Sequence, residues 1–150
     1  MLRVDREKAV HLQFIYRKRQ SLVLENEMKN LKILLVDDEE EFVTTLAERL
    51  ELRGLQARAA LSGEDALHMI ETDTPQIVIL DVMMPGLGGL EVLKRIKAQN
   101  PQIHVILLTG RGSTKEGIEG MQLGAFDYLM KPINIEELIK KMQEAIKSQP

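Results

Sequence analysis

Gln76-Ile-Val-Ile-Leu80, closed by Asp81, is a short run of β-branched residues and leucine with no polar alternation, the pattern of a strand buried on both faces. Lys32-Ile-Leu-Leu-Val36 and Ile103-His-Val-Ile-Leu-Leu-Thr109 read the same way. Three such runs predict a parallel sheet covered on both sides. Leu55-Gln-Ala-Arg-Ala-Ala60 and Ala125-Phe-Asp-Tyr-Leu129 are weaker runs that complete a set of five.

Helical periodicity fills the intervals. Phe42, Leu46, Leu50 and Leu52 lie near helical spacing and Gly54 closes that segment, as a glycine after a helix often does. Ser62 with Asp65 three residues on resembles a variant capping box opening a helix through Ala66, Leu67 and Ile70. Leu90, Leu93 and Ile96 form a third stripe stopped by Asn100-Pro101. Ile118 and Met121 with Gly124 form a shorter one, and Leu138, Ile139, Met142 and Ile146 mark a last helix over residues 135–146. Alternating strands and helices of this length predict an α/β fold, a doubly wound (βα)5 three-layer sandwich with right-handed crossovers around a five-stranded parallel sheet.

The 150 residues, 44% hydrophobic and 29% charged, suit one globular domain with a short appendage and argue against a disordered or fibrous chain. No apolar run approaches the roughly 20 residues of a membrane-spanning helix, and Arg3, Asp5, Arg6, Glu7 and Lys8 stand where a signal peptide would be apolar. A soluble, cytoplasmic protein is expected. The absence of cysteine excludes disulfides, thiol nucleophiles and thiolate metal sites. Residues 1–29 hold seven Lys/Arg and four Asp/Glu, net +3, whereas residues 30–150 hold thirteen and nineteen, net −6. An acidic main body is a poor general binder of nucleic acid, whose affinity comes largely from neutralised phosphates.

In a doubly wound sheet the carboxyl ends of the strands share one edge, so the residues that end them meet in space. Strand one ends in Asp37-Asp38, strand three in Asp81, strand four in Thr109 and strand five in Lys131-Pro132. Clustered carboxylates raise one another's pKa unless a cation intervenes, and an all-oxygen donor set suits a hard ion such as Mg²⁺. Carboxylates, Mg²⁺, a lysine and a hydroxyl together match phosphoryl transfer, which depends on positioning and charge neutralisation. Asp81, standing singly after the central strand, is the candidate nucleophile, with Asp37 and Asp38 as the paired metal anchor. In isolation Asp37-Asp38-Glu39-Glu40-Glu41 also fits a solvated acidic helix start; the other strand-end residues favour the site.

From about Leu31 to Ser148 the chain resembles the CheY-like receiver domain of two-component response regulators. The resemblance rests on Val36-Asp37-Asp38-Glu39, Leu80-Asp81-Val-Met-Met-Pro85, Gly88-Gly89, Leu108-Thr109-Gly110 and Tyr128-Leu-Met-Lys131-Pro132. It implies the flavodoxin-like strand order 2-1-3-4-5, and an Asp81 that accepts a phosphoryl group from a histidine kinase or histidine phosphotransfer protein. Asp38, Asp81 and the backbone carbonyl of Met83 would hold Mg²⁺ with support from Asp37, Thr109 and Lys131 would bind phosphoryl oxygens, and the Lys131–Pro132 peptide would be cis. Thr109 and Tyr128 would couple phosphorylation to the surface of the domain's fourth helix, fifth strand and fifth helix, which would bind a downstream protein or a second copy. Met83, Gly110 and Arg111 would tune phosphoryl lifetime, Gly110 leaving room for the donor. Such a switch is not expected to turn over external substrates. The alternatives are a Mg²⁺-dependent aspartyl phosphatase or phosphotransferase and a pseudo-receiver that is never phosphorylated.

Residues 1–30 lie outside the resemblance and form a basic extension, read either as a disordered lead or as a broken amphipathic helix carrying Val10, Phe14, Leu22, Leu24 and Met28, with Glu25 and Glu27 as helix formers, followed by Leu31. Residues 31–150 form the receiver. The expected protein is a free-standing or excised receiver, since nothing after Pro150 forms an output domain and no DNA-reading helix is visible. Binding of the basic segment Arg17-Lys18-Arg19 to a membrane surface is not expected, its apolar face being poorly defined. His11, His68 and His104 lack ligand-like spacing and read as surface or packing residues.

Overall fold

The computed structural model describes residues 5–148, with residues 24 and 25 described by backbone alone. Readings that involve Arg3, Pro150 and the side chains of Leu24 and Glu25 lie outside the described residues. The chain divides between Asn30 and Leu31 into two compact units.

The first unit contains α1 (Arg6–Lys29), capped by Asp5, whose side chain accepts from the amides of Glu7 and Lys8. The helix runs unbroken, and part of the expected stripe is present: Val10, Phe14 and Met28 share one direction to within about 40° and Met28 is buried, while Leu22 stands apart. At about 100° per residue, Val10 and Phe14, Ile15 and Leu22, and Leu12, Tyr16 and Val23 point three ways, and all are exposed.

In the second unit, β1 (Ile33–Val36), β2 (Ala57–Ala60), β3 (Ile77–Asp81), β4 (His104–Thr109) and β5 (Asp127–Met130) alternate with α2 (Glu40–Glu51), α3 (Gly63–Thr72), α4 (Gly89–Gln99), α5 (Thr114–Gln122) and α6 (Ile135–Lys147). The strands form one sheet in the order β2-β1-β3-β4-β5, every pairing parallel, which is the doubly wound order expected. Each weak strand starts two residues later than its apolar run. Leu55, Ala125 and Phe126 are connectors, with Leu55 and Ala125 buried.

Because side chains alternate across a strand, Leu34, Val36, Val78, Leu80, Val105 and Leu107 pack on one face with Ala66 and Ile70 of α3 and Val92, Leu93 and Ile96 of α4. Ile33, Leu35, Ile77, Ile79, Ile106 and Leu108 take the other face, where α2 lies against β1 and β2 and α6 against β4. Those helices bury Val43, Leu46 and Leu50, and Leu138, Met142 and Ala145. Each such Val, Leu, Ile or Met side chain contributes about 1.5–3 kcal/mol through removal from water. The Ser62 cap forms as expected, accepting from the Asp65 amide.

Two apolar assignments require correction. Leu52 caps the end of α2 and is 86% exposed, because the twelve-residue helix turns its buried face through Val43, Leu46 and Leu50 instead. On α5, Ile118 and Met121 face outward and Gly117 and Gly120 are buried. A Cβ at Gly117 would lie 2.9 Å from the Tyr128 ring, and one at Gly120 would collide with a methyl of Leu107. The helix therefore meets the sheet through its backbone, which displaces its larger residues to the surface.

Gly89, at the start of α4, makes a comparable approach near the end of β3: a Cβ there would stand 2.7 Å from Val82 Cα and closer still to the Asp81 carbonyl oxygen. Backbone atoms cannot yield as a side chain does, so Gly89→Ala is expected to destabilise the fold by about 1–3 kcal/mol, read as a lower denaturation midpoint; an unchanged midpoint would contradict this packing.

His104, at the opposite edge of the sheet, is half-buried against Phe126, and its Nε2 is buried without a hydrogen-bond partner. Burial, and then the charge of Lys97, lower its pKa from 6.5. With the folded value below the unfolded one, the stability contributed by the neutral ring is complete above about pH 6.5 and is lost as pH falls through the folded value. His104→Leu should therefore gain melting temperature relative to the native chain on acidification, whereas a pH-independent difference would disprove it.

Candidate functional site

The register of the two central strands builds the site. Val36 pairs with Leu80, so Asp37, immediately after β1, stands beside Asp81, the last residue of β3. The strand order reverses between β1 and β3, which opens a crevice at the carboxyl edge. Asp37, Asp38 and Asp81 each offer a carboxylate oxygen there, all within 4.8 Å of one another. Asp37 and Asp81 are buried and Asp38 is exposed.

Lys131, following β5, reaches across the edge to this cluster. Its Nζ donates to Asp37 Oδ2 at 2.7 Å and lies 3.5 Å from Asp81 Oδ1 and 3.9 Å from Glu39 Oε1. Asp37 Oδ1 also accepts from the Glu39 amide at 3.0 Å, which fixes the turn between β1 and α2. The Lys131–Pro132 peptide is cis. Thr109 ends β4 fully buried, and its hydroxyl makes a long 3.4 Å bond to the Leu129 carbonyl on the neighbouring strand. Tyr128 lies on β5 with its ring against Gly117 of α5. Met83 follows β3 with an exposed side chain, and Gly110 and Arg111 follow β4.

The electrostatics follow from burial. Removal from water, together with the negative charge of Asp37, raises the Asp81 carboxyl to about 6, against opposing contributions from Lys131 and the Met83 amide. Burial opposes the charge on Lys131, but its hydrogen bond to Asp37 and the charges of Asp81, Asp37 and Glu39 outweigh that cost and raise its pKa. One ammonium thus compensates a set of three carboxylates. That surplus of hard oxygen donors, without imidazole or thiolate, fits a Mg²⁺-type cation.

One residue at this edge was assigned by sequence only to the helix's apolar stripe. Phe42, in the first turn of α2, is half-exposed, with its ring 4.3 Å from the Lys131 ammonium. It also lines a pocket of about 210 Å³ together with Leu46, Arg49, Pro132, Ile133 and Ile135. Helical spacing registers Phe42 as apolar but carries no sign of a lysine arriving from a strand 89 positions later in the chain.

A family profile described as the response regulator receiver domain matches residues 33–143. Among curated proteins, the chain is 38% identical over 118 residues to the alkaline phosphatase synthesis transcriptional regulatory protein PhoP of Bacillus subtilis, a match covering 79% of this chain and 49% of that one. It is likewise 38% identical over 117 residues to the response regulator MprA of Mycolicibacterium vanbaalenii, covering 78% and 51%. The chain thus spans about half the length of the curated relatives it matches. Among solved structures, the receiver domain of Francisella response regulator 1452 superposes with a TM-score of 0.72 at 34% identity, covering 80% of this chain and all of that one. The receiver domain of NtrX from Brucella abortus superposes with a TM-score of 0.75 at 32% identity, covering 78% and 99%.

The raised pKa of Asp81 has a consequence for stability. The folded state disfavours the charged carboxylate, so Asp81 subtracts stability above about pH 6, and the penalty is relieved as the pH falls towards the unfolded value of 3.8. In metal-free protein at neutral pH, Asp81→Asn should stabilise by about 3 kcal/mol, the equivalent of roughly two pKa units. The gain should shrink to nothing near pH 4. Matching denaturation midpoints for the two proteins at neutral pH would refute this.

Proposed function

The chain belongs to the response regulator receiver domain family, and from that premise we propose that it is a phosphorylation-dependent switch whose phosphoacceptor is Asp81. The observation that carries the reading is the register-enforced meeting of Asp37, Asp38 and Asp81 under the single ammonium of Lys131. A carboxylate oxygen of Asp81 attacks the phosphorus of a phosphohistidine on a sensor histidine kinase or histidine phosphotransfer protein. The P–O bond forms as the P–N bond breaks; the electron pair stays on the imidazole, which takes up a proton, and Asp81 becomes a mixed anhydride. Asp38, Asp81 and the Met83 carbonyl, supported by Asp37, would hold Mg²⁺, which when bound supplies charge neutralisation at the phosphoryl oxygens.

Lys131 offers the transferred group a charge-assisted donor. Thr109 offers a hydroxyl whose present bond to Leu129 is long enough to exchange for a phosphoryl oxygen at little cost. The apolar pocket beside Phe42 adjoins the site and is of a size to take an apolar side chain of a protein donor. On the opposite flank, α5 and β5 expose Ile118, Met121 and Met130, a surface that fits a downstream protein or a second copy. Thr109 and Tyr128 link this surface to the site, because the Tyr128 ring packs directly on α5. Phosphorylation adds about −1.5 to −2 of charge and new acceptors, which supplies the free-energy difference that a shift between two states requires.

The test is intact mass after incubation with acetyl phosphate, with and without Mg²⁺, for the native chain and Asp81→Asn. One phosphoryl group per chain, requiring both Mg²⁺ and Asp81, is expected. Absence of the adduct in folded protein that also fails to bind beryllofluoride would replace this reading with a pseudo-receiver. Multiple turnover on a phosphate ester would replace it with a phosphatase.

A further inference from the structure

Among the described residues, Lys131 is the ion-pair partner of both buried carboxylates, and its ammonium is contacted by two kinds of group. The first is anionic: Asp37, Asp81 and, more distantly, Glu39. The second is the π-face of Phe42, 4.3 Å from Nζ. We propose that Phe42 is a positioning residue for Lys131, its ring holding the ammonium directed at Asp81 when the carboxylates are otherwise engaged. The proposal rests on the phosphoacceptor reading for its kinetic consequence, but not for the contact itself.

The anionic partners are not permanent anchors. Asp37 and Asp81 belong to the proposed cation-binding set, so their charge is shared once a cation or phosphoryl group arrives. Glu39 stands 3.9 Å away with its side chain 69% exposed, a distance and exposure at which an ion pair contributes little. A lysine has four rotatable stem bonds and nothing in its own geometry to keep it in place. The ring of Phe42 has no charge to be neutralised, and its attraction for the ammonium persists whatever occupies the carboxylates. Its backbone position is set by α2, whose adjacent face is buried through Val43 and Leu46. The Lys131 side chain is only 20% exposed, which keeps water from screening the contact fully.

The experiment uses the full chain with Phe42→Leu and Phe42→Trp. In metal-free protein, the lysine ε-methylene signals are followed by carbon–proton NMR, that of Lys131 being identified by its loss in Lys131→Arg. A ring-current upfield shift is expected in the native chain, lost in Phe42→Leu and retained in Phe42→Trp. Phosphorylation is then timed with acetyl phosphate at saturating Mg²⁺, a donor too small to use the pocket that Phe42 also lines. A rate about three- to fivefold lower is expected for Phe42→Leu, as a cation–π contact at a partly exposed site implies, with Phe42→Trp restoring it. An unshifted Lys131 signal in the native chain overturns the proposal, and so does an unchanged rate in Phe42→Leu. Should the native chain take up no phosphoryl group, the functional reading fails while the NMR shift still decides the contact. Should Phe42→Leu fail to fold, the native shift and the rate of Phe42→Trp decide together.

Discussion

Two buried carboxylates side by side, compensated by one ammonium, are the constraint around which this molecule is organised. Asp37 and Asp81 are both removed from water, and the Lys131 Nζ sits 2.7 Å from one and 3.5 Å from the other. The compensation is incomplete, as the raised pKa of Asp81 records. An acidic site left short of positive charge, with Asp38 exposed at its edge, could hold a cation. The stability given up at Asp81 is therefore inseparable from the chemistry proposed for it.

The surrounding fold holds that arrangement in place. The parallel register brings Asp37 level with Asp81, and the glycine at the start of α4 lets that helix close against the end of β3. The turn after β1 is tied by the Glu39 amide to the carboxylate that Lys131 engages. On the same face as α4, Gly117 and Gly120 let α5 lie close to Tyr128 and Leu107. Residues that would form a core in an ordinary amphipathic helix, Ile118 and Met121, are left on the surface. Thr109 and Tyr128 lie on the neighbouring strands β4 and β5, between the carboxylate cluster and α5.

Much of this was legible in the chain itself. The three central strands announce themselves because strands buried on both faces must be continuously apolar, and the residues that end them, Asp37, Asp38, Asp81 and Thr109, with Lys131 after the edge strand β5, follow from the rule that parallel strands share a carboxyl edge. The weak strands β2 and β5 were harder to bound, because Ala57–Ala60 and Asp127–Met130 are only partly buried and carry little periodic signal.

What the tertiary structure alone decided concerns contacts between distant segments. Spacing placed Ile118 and Met121 on a buried stripe and could not register that two glycines would reverse the helix's facing, since a glycine's value lies in what it allows a neighbour to approach. Likewise Phe42 read as one apolar residue among several, and its place beside Lys131 arises only when the first and fifth strand ends are brought to the same edge. Local pattern determines which segments are strands and helices, because it reports each residue's preference for water. Which side chains then meet depends on register and approach distance, which the sheet sets only once it is assembled.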